Sequence, residues 1–167
     1  MGANTKVSAE IGMPFTLAKR LFAEWLGTAF LVATIVGSGI MGERLADGNL
    51  AIALLANTLA TGAILMVLIL MFGDISGAHF NPAVTLGFML KRTLNHRAAS
   101  LYVLAQIMGG VCGVVIAHLM FGLTPLDAST TVRTGTGQWL AEFVAAFGLI
   151  ATILACLRAR PAAVPYA

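Results

Sequence analysis

The sequence predicts an all-α membrane protein with four transmembrane helices and one re-entrant half-helix. Hydrophobic residues make up 59% of the 167 residues, and only 10% are Asp, Glu, Lys or Arg, whereas about a quarter of a soluble domain is charged. The mean hydropathy of +0.91 agrees. The charges cluster and leave four long segments that are almost free of charge, which a bilayer solvates better than water does. A fifth, shorter apolar segment is interrupted by Asn and Pro.

The four long segments are residues 21–41, 50–73, 98–121 and 138–157. Each reaches the roughly 20 helical residues that cross about 30 Å of hydrocarbon. The first is too long for a signal-peptide core and has no cleavage site after it, so we expect it to be retained. The period-two alternation of a membrane barrel is absent.

The fifth segment, residues 74–90, is too short and too interrupted to span. It contains Gly77, His79, Asn81 and Pro82. Asn is a favoured N-cap and Pro a favoured first helical residue, so a short helix is predicted to begin there and to end near position 90. A loop that enters the membrane and a half-helix that leaves it fit this pattern.

Lysine and arginine positions predict the orientation of the spans. If the spans alternate in direction, eight basic residues fall on one side: Lys6, Lys19, Arg20, Lys91, Arg92, Arg97, Arg158 and Arg160. Only Arg44 and Arg133 fall on the other side. Cytoplasmic loops are enriched in basic residues, so residues 1–20 are predicted to be cytoplasmic and residues 122–137 extracytoplasmic, in a multi-pass protein of the cell membrane.

Self-comparison shows an internal repeat. Ala-Glu-Trp at 23–25 recurs as Ala-Glu-Phe at 141–143, and Leu-Val-Ala-Thr-Ile at 31–35 recurs as Leu-Ile-Ala-Thr-Ile at 149–153, both with an offset of 118 residues. Three spans lie within one offset, so the second copy crosses in the opposite direction, as in inverted-repeat transporters. The alternative is a chance likeness between two transmembrane helices.

The repeat defines the expected domain organisation. Residues 21–121 form the first repeat, and residues 138–167 begin the second. The same offset places a second half-helix near position 199, beyond Ala167, so we expect a second repeat truncated after the fourth span.

The half-helix start carries the functional prediction. A helix N-terminus exposes unpaired N–H groups and carries about half a positive charge, which repels cations. Asn81 is expected to cap this helix while offering its amide N–H to a solute. The non-helical stretch Gly77, Ala78 and His79 is expected to present backbone carbonyls as acceptors. Donors at one point and acceptors along a line suit an uncharged, hydrogen-bonding solute.

These motifs resemble a known family. Ser-Gly-Ala-His-Phe-Asn-Pro-Ala-Val-Thr at 76–85, Ala-Glu-x-x-Gly-Thr at 23–28 and Ala-Glu-Phe at 141–143 are similar to signatures of the aquaporin and glycerol-facilitator family, the major intrinsic proteins. The resemblance implies an aquaporin-like inverted repeat, in which two half-helices meet at the centre of a pore, and a tetramer.

The resemblance also assigns site residues. Asn81, Pro82 and Ala83 match the first Asn-Pro-Ala motif. The second motif and the arginine that follows it have no counterpart, so the resemblance does not establish that this chain conducts. The filter position of the second span corresponds to Thr61. Its small side chain implies a wide pore for polyols, urea-like solutes or neutral metalloid acids. The alternative is that Thr61 only packs against another helix.

Two acidic residues lie within spans, where charge is costly. By resemblance, Glu24 accepts backbone N–H groups of the re-entrant loop, and Glu142 would do the same for a loop that this chain does not contain. A proton relay is the alternative role. We therefore expect Glu24 to be paired and Glu142 to lack a partner.

Smaller signals concern packing and anchoring. A small-xxx-small pattern in the third span predicts close helix packing within the bundle, with an oligomer contact as the alternative: Gly109, Gly110 and Gly113. Aromatic residues near span ends predict interfacial anchors: Trp25, Tyr102 and Trp139.

The leading functional prediction is a passive channel for water or small neutral solutes, with membrane lipid as its other partner. The alternative is a non-conducting half-channel subunit that assembles with copies of itself or with a complementary chain. A nucleic-acid binder is disfavoured because no basic run exceeds two residues. The His and Cys residues show no metal-ligand spacing, and no nucleophile–base set indicates an enzyme, so we expect no metal, no cofactor and no catalysis.

Overall fold

The computed structural model describes residues 14–127 and 132–166, and across these ranges the chain is helical without strands. The helices, in chain order, are α1 (Leu17–Leu45), α2 (Leu50–Ser76), α3 (Pro82–Leu90), α4 (His96–Met120) and α5 (Thr136–Ala159), followed by a 3-10 helix (Pro161–Tyr166). Four of them, α1, α2, α4 and α5, are long and apolar enough to cross a membrane. The predicted fold class, four spans and one half-helix, is confirmed.

The helices extend beyond the apolar segments that predicted them. Helix α1 begins four residues before position 21 and ends four residues after position 41. Hydropathy marks the part of a helix that lies in hydrocarbon, whereas its last turns continue into the polar region. Helix α2 continues to Ser76, so the first three residues of the segment predicted as re-entrant are helical, and it ends at Gly77, whose φ of 91° is left-handed.

Helix α1 forms the centre of the bundle, where it packs against α4 and α2. The contact with α4 depends on Gly109 and Gly113. A methyl group added to Gly109 would overlap with the carbonyl oxygen of Trp25, and one added to Gly113 would lie 2.5 Å from the carbonyl oxygen of Ala29. The prediction that the glycine pattern serves packing within the bundle is confirmed.

Helix α5 lies at the margin of this bundle. Among the described helices it packs against α3 and the 3-10 helix alone, and none of its residues is buried. Large apolar side chains are exposed along α5 and α2 as well, for example Phe143 and Leu59, at 66% and 64%. Such surfaces are unusual in water and are the outer surface expected of a helix in lipid.

Candidate functional site

The re-entrant loop that joins α2 to α3 has an unusual backbone. Gly77, Ala78 and Phe80 have φ values of 91°, 48° and 48°, in the left-handed region that residues other than glycine rarely adopt. Each such non-glycine residue costs about 1–3 kcal/mol and persists only where its surroundings hold it. The contacts of this loop therefore explain its conformation.

The loop wraps around the carboxylate of Glu24, which is fully buried. Its Oε1 accepts hydrogen bonds from Ser76 Oγ at 2.6 Å and from the His79 N–H at 3.0 Å. Its Oε2 accepts from the Phe80 N–H at 2.8 Å and from Gln106 Nε2 at 2.8 Å. Four donors from the loop, α2 and α4 thus converge on one acid of α1.

The loop amides form a concave anion-binding site of the kind that successive N–H groups make. The Ala78 N–H donates to Ser76 Oγ at 3.1 Å, so three consecutive amides point at Glu24 directly or through one hydroxyl. In a trans peptide the carbonyl points opposite to the N–H of the same unit. The carbonyl oxygens of Gly77, Ala78 and His79 therefore point away from Glu24.

A buried arginine, Arg20, lies one turn before Glu24 on α1. Arg20 Nε donates to the Tyr102 hydroxyl at 2.7 Å, and its guanidinium lies 5.1 Å from the centre of the Tyr102 ring. The same hydroxyl donates to the Ser76 carbonyl at 2.8 Å. Ser76 therefore links the two charges, because its carbonyl bonds to Tyr102 and its hydroxyl to Glu24.

This arrangement corrects one prediction. Tyr102 is not an interfacial anchor, because its side chain is fully buried and its hydroxyl is bonded within the bundle. Of the other two proposed anchors, Trp139 is 65% exposed near the start of α5 and Trp25 is part-buried.

The imidazole of His79 is buried beside the loop. It stacks on Phe88 with ring centroids 4.5 Å apart, and its Nδ1 lies 3.1 Å from Thr85 Oγ1. That oxygen also accepts from Gln106 Nε2 at 2.9 Å. His79 thus joins the hydrogen-bond network of Thr85, Gln106 and Glu24 from the side of the loop.

The half-helix α3 starts at the Asn-Pro-Ala sequence. Asn81 is its N-cap, with Oδ1 accepting from the Ala83 N–H at 2.8 Å. Pro82 is the first helical residue and is exposed. Within the described ranges no hydrogen bond engages the Asn81 amide nitrogen, which keeps its two hydrogens for another acceptor.

Two cavities flank the loop. One of about 330 Å³ is lined by Gly77, Ala78 and His79 together with residues of α2 and α5. The other, of about 170 Å³, is lined by Ala78, His79 and Asn81 and by Leu65 of α2. The structure thus brings together four of the predicted site residues beside open space.

Thr61 and Glu142 lie outside these cavities. Thr61 is part-buried on α2, one turn before the cavity-lining Leu65. Glu142 is exposed on α5, and its carboxylate makes no hydrogen bond with the residues that the structure describes.

Sequence reasoning missed five buried polar residues around the loop: Arg20, Ser76, Thr85, Tyr102 and Gln106. A signal for part of this set was present, because Arg20 and Glu24, like Tyr102 and Gln106, are four residues apart and so share a helix face. Polar residues at helical spacing inside a span point to the bundle interior.

Comparison with known proteins agrees with this geometry. The family model described as major intrinsic protein matches residues 13–164. The chain belongs to the major intrinsic protein family. The recognition made from the motifs is therefore confirmed, and the protein is a multi-pass membrane protein of a family whose members are channels rather than enzymes.

Curated relatives come from bacteria and plants. The chain is 57% identical over 152 residues to the aquaglyceroporin AqpS of Rhizobium meliloti (strain 1021), a match that covers 91% of this chain and 65% of that protein. It is 35% identical over 148 residues to aquaporin NIP1-4 of Oryza sativa subsp. japonica, covering 86% and 53%. It is 36% identical over 139 residues to the probable aquaporin NIP4-2 of Arabidopsis thaliana, covering 82% and 48%. The chain thus spans about half to two thirds of their lengths.

Proposed function

We propose that this chain forms one half of the wall of a passive channel for water or small uncharged solutes. The observation that carries the proposal is the re-entrant loop itself. Its amides are fixed on Glu24, its carbonyls point the other way, and Asn81 starts a half-helix beside two cavities.

The proposed path offers acceptors and donors in sequence. The carbonyls of Gly77, Ala78 and His79 accept hydrogen bonds from a solute, and the Asn81 amide donates one in return. The N-terminus of α3 adds a positive potential that repels cations. Ions lose hydration in such a path without adequate replacement, whereas a neutral solute exchanges water hydrogen bonds for equivalent ones. Glu24 holds the loop and takes no part in proton transfer, because four donors already occupy its oxygens.

We assign the solute to the class of glycerol-like polyols, urea and neutral metalloid acids. Thr61 is a small residue on the α2 face that leads to the cavity lined by Leu65 and Asn81, which supports a wide passage. The Rhizobium meliloti relative carries the name aquaglyceroporin, in agreement with this class. In a complete pore, Pro82 and Ala83 complete the wall beside Asn81.

The topology belongs to the same proposal. Eight basic residues against two support a cytoplasmic N-terminus. Residues 21–121 then form the first repeat, and residues 138–167 form the start of the second. In a complete pore the carboxylate of Glu142 accepts hydrogen bonds from the backbone amides of the second re-entrant loop. A homo-tetramer is the assembly that the family resemblance implies.

Stopped-flow swelling of proteoliposomes tests the proposal. We expect the chain to raise glycerol permeability above that of empty vesicles without raising proton or K⁺ leak. Asn81→Asp keeps an oxygen to cap α3 but removes the amide donor and adds negative charge, so we expect glycerol permeability to fall about tenfold or more. Asn49→Asp is the matched control, because Asn49 caps α2 in the same way away from the cavities. No permeability above empty vesicles, or equal values for both variants, would contradict the proposal.

The second candidate is a half-channel subunit that conducts only with a complementary chain. Helix α5 buries none of its residues and Glu142 is exposed, which favours this candidate because both lack the packing found around α1. Co-reconstitution with a segment that corresponds to the second half of the Rhizobium meliloti relative separates the two candidates. Permeability that appears only in the mixture identifies the subunit, and permeability in the chain alone excludes it.

A further inference from the structure

A buried arginine lines the larger of the two cavities beside the loop. Arg20 of α1 borders this space of about 330 Å³, although only 1% of its surface is exposed. Much of the remaining wall is apolar and comes from α2, α3 and α5: Ile69, Val84, Phe88, Ile153 and Leu157. An apolar wall with a few polar groups is typical of small-molecule sites, whose volumes run from about 300 to 1,000 Å³.

Most hydrogen-bond donors of Arg20 have no partner among residues 14–127 and 132–166. A guanidinium carries five N–H groups, and Arg20 uses the one on Nε, which donates to the Tyr102 hydroxyl. Its two Nη groups make no hydrogen bond within those ranges. They are not sealed in the protein either, because Gln106 Oε1 is the only enclosed side-chain polar atom without a partner in the same ranges. The other four N–H groups of Arg20 therefore border the cavity.

Tyr102 fixes the orientation of the guanidinium. The Nε of Arg20 lies 2.7 Å from the Tyr102 hydroxyl, and the guanidinium lies 5.1 Å from the centre of the ring. Tyr102 is itself fully buried, and its hydroxyl bonds onward to the Ser76 carbonyl. A planar group that is already oriented loses little rotamer freedom when it binds an oxygen atom. Arg20 thus presents preorganised donors to the cavity.

The re-entrant loop supplies acceptors to the same cavity. Gly77, Ala78 and His79 line it, and no N–H or O–H group of the described residues donates to their carbonyl oxygens. A cation in this cavity would face the guanidinium, and an anion would face the carbonyl oxygens, so each would lose hydration against a group of its own sign. A neutral molecule that accepts from Arg20 and donates to the carbonyls satisfies both sets of groups.

We propose that Arg20 and the loop carbonyls form a binding subsite for neutral solutes that both accept and donate hydrogen bonds, the class of urea and small polyols. The Nη groups donate to a carbonyl or hydroxyl oxygen of the solute, and the N–H or O–H groups of the solute donate to the loop. The charge of Arg20 also repels cations from this cavity. The inference rests on the proposed function, in which the loop carbonyls face the solute, and adds a charged residue to that path.

Solid-state NMR detects this contact without requiring conduction. The whole chain, with ¹⁵N-labelled arginine, is reconstituted into lipid bilayers with ¹³C-labelled urea, and the dephasing of the urea carbon by arginine nitrogen is recorded. Arg20→Met keeps a long side chain without N–H groups or charge, so we expect it to remove a saturable component of the dephasing. Lys19→Met is the matched control, because it removes a positive charge from the neighbouring position, whose side chain lies over Phe15 and outside this cavity. The component should persist there.

Permeability in proteoliposomes separates the charge of Arg20 from its hydrogen bonds. In Arg20→Met we expect the ratio of urea to water permeability to fall about fivefold, the factor that corresponds to one net hydrogen bond, and K⁺ leak to rise. Arg20→Lys keeps the charge but not the planar pair of Nη groups, so the ratio should fall while K⁺ leak stays low. Lys19→Met should change neither value.

Equal dephasing in the unchanged chain and Arg20→Met would overturn the inference, as would an equal loss in Lys19→Met. A competition in the unchanged chain does not depend on any variant folding: excess unlabelled glycerol should remove the saturable component, whereas inorganic phosphate should not. Displacement by phosphate alone would identify an anion site and contradict the proposal. Dephasing without permeability refutes the proposed function and leaves the binding site, whereas permeability without the component refutes the subsite alone.

Discussion

Glu24 and Glu142 occupy equivalent positions of the internal repeat, 118 residues apart, yet their surroundings are opposite. Glu24 is fully buried and accepts four hydrogen bonds. Glu142 is exposed on a helix that buries no residue. The helix motif alone therefore does not create a site. The carboxylate becomes an organising centre where a re-entrant loop, Ser76 and Gln106 bring donors to it.

The largest expected effect comes from removing each acid in turn. Glu24→Leu leaves four buried donors without an acceptor, and each costs about 1–3 kcal/mol, so we expect a loss of at least about 4 kcal/mol in the free energy of unfolding. Glu142→Leu should change it by less than about 0.5 kcal/mol, as exposed substitutions usually do. Equilibrium unfolding in mixed detergent micelles, followed by circular dichroism, measures both.

An intermediate variant sharpens this comparison. Glu24→Gln keeps one acceptor oxygen for two of the donors and places an NH₂ group opposite the other two. Its free energy of unfolding should therefore lie between those of the unchanged chain and of Glu24→Leu. Equal losses for Glu24→Leu and Glu142→Leu would show that the two acids do not differ in their partners.

Glycines give a second contrast between the two regions. Gly109→Ala places a methyl group on the Trp25 carbonyl where α4 meets α1, and such overpacking costs about 3 kcal/mol. Gly148→Ala on α5 meets nothing within 4 Å and should stabilise the helix by up to about 1 kcal/mol. Melting temperatures of the two variants should shift in opposite directions. A shift of the same sign and size would mean that α5 is packed as tightly as α4.

The smallest effect concerns the tyrosines. Tyr102→Phe keeps the ring beside Arg20 but removes the hydroxyl that accepts from Arg20 and donates to Ser76. We expect the free energy of unfolding to fall by about 2 kcal/mol. Tyr166→Phe alters a side chain that is 64% exposed in the 3-10 helix and should be neutral within about 0.5 kcal/mol. Unfolding in the same micelles measures both values. An unchanged free energy of unfolding in Tyr102→Phe would show that the hydroxyl does not stabilise the connection between Arg20 and Glu24.

Much of the fold was predictable because bilayer thickness fixes the length of an apolar helix. The half-helix was predictable as well, since Asn81 and Pro82 are strong start signals. The ends of the spans were not, because helix α1 continues through Lys19 and Glu43, which lie outside the apolar stretch. Hydropathy does not report hydrogen bonds that continue into the polar region.

The site was predictable only where local sequence determines it. The cap of Asn81 is a contact between residues two positions apart. The bond from Gln106 to Glu24 joins residues 82 positions apart, and no local pattern specifies such a pairing. Tyr102 was misassigned for the same reason, because its place near a span end fits an interfacial anchor as well as a buried partner of Arg20.

Amide hydrogen exchange at His79 and Phe80 is the most direct test of the claim that Glu24 fixes the re-entrant loop. Both amides lie outside any helix, and their hydrogen bonds go to the carboxylate of Glu24. In protein reconstituted into lipid nanodiscs and followed by NMR, we expect both to exchange about a thousandfold or more slowly than the amide of the exposed Thr134. Exchange at a rate close to that of Thr134 would contradict the account.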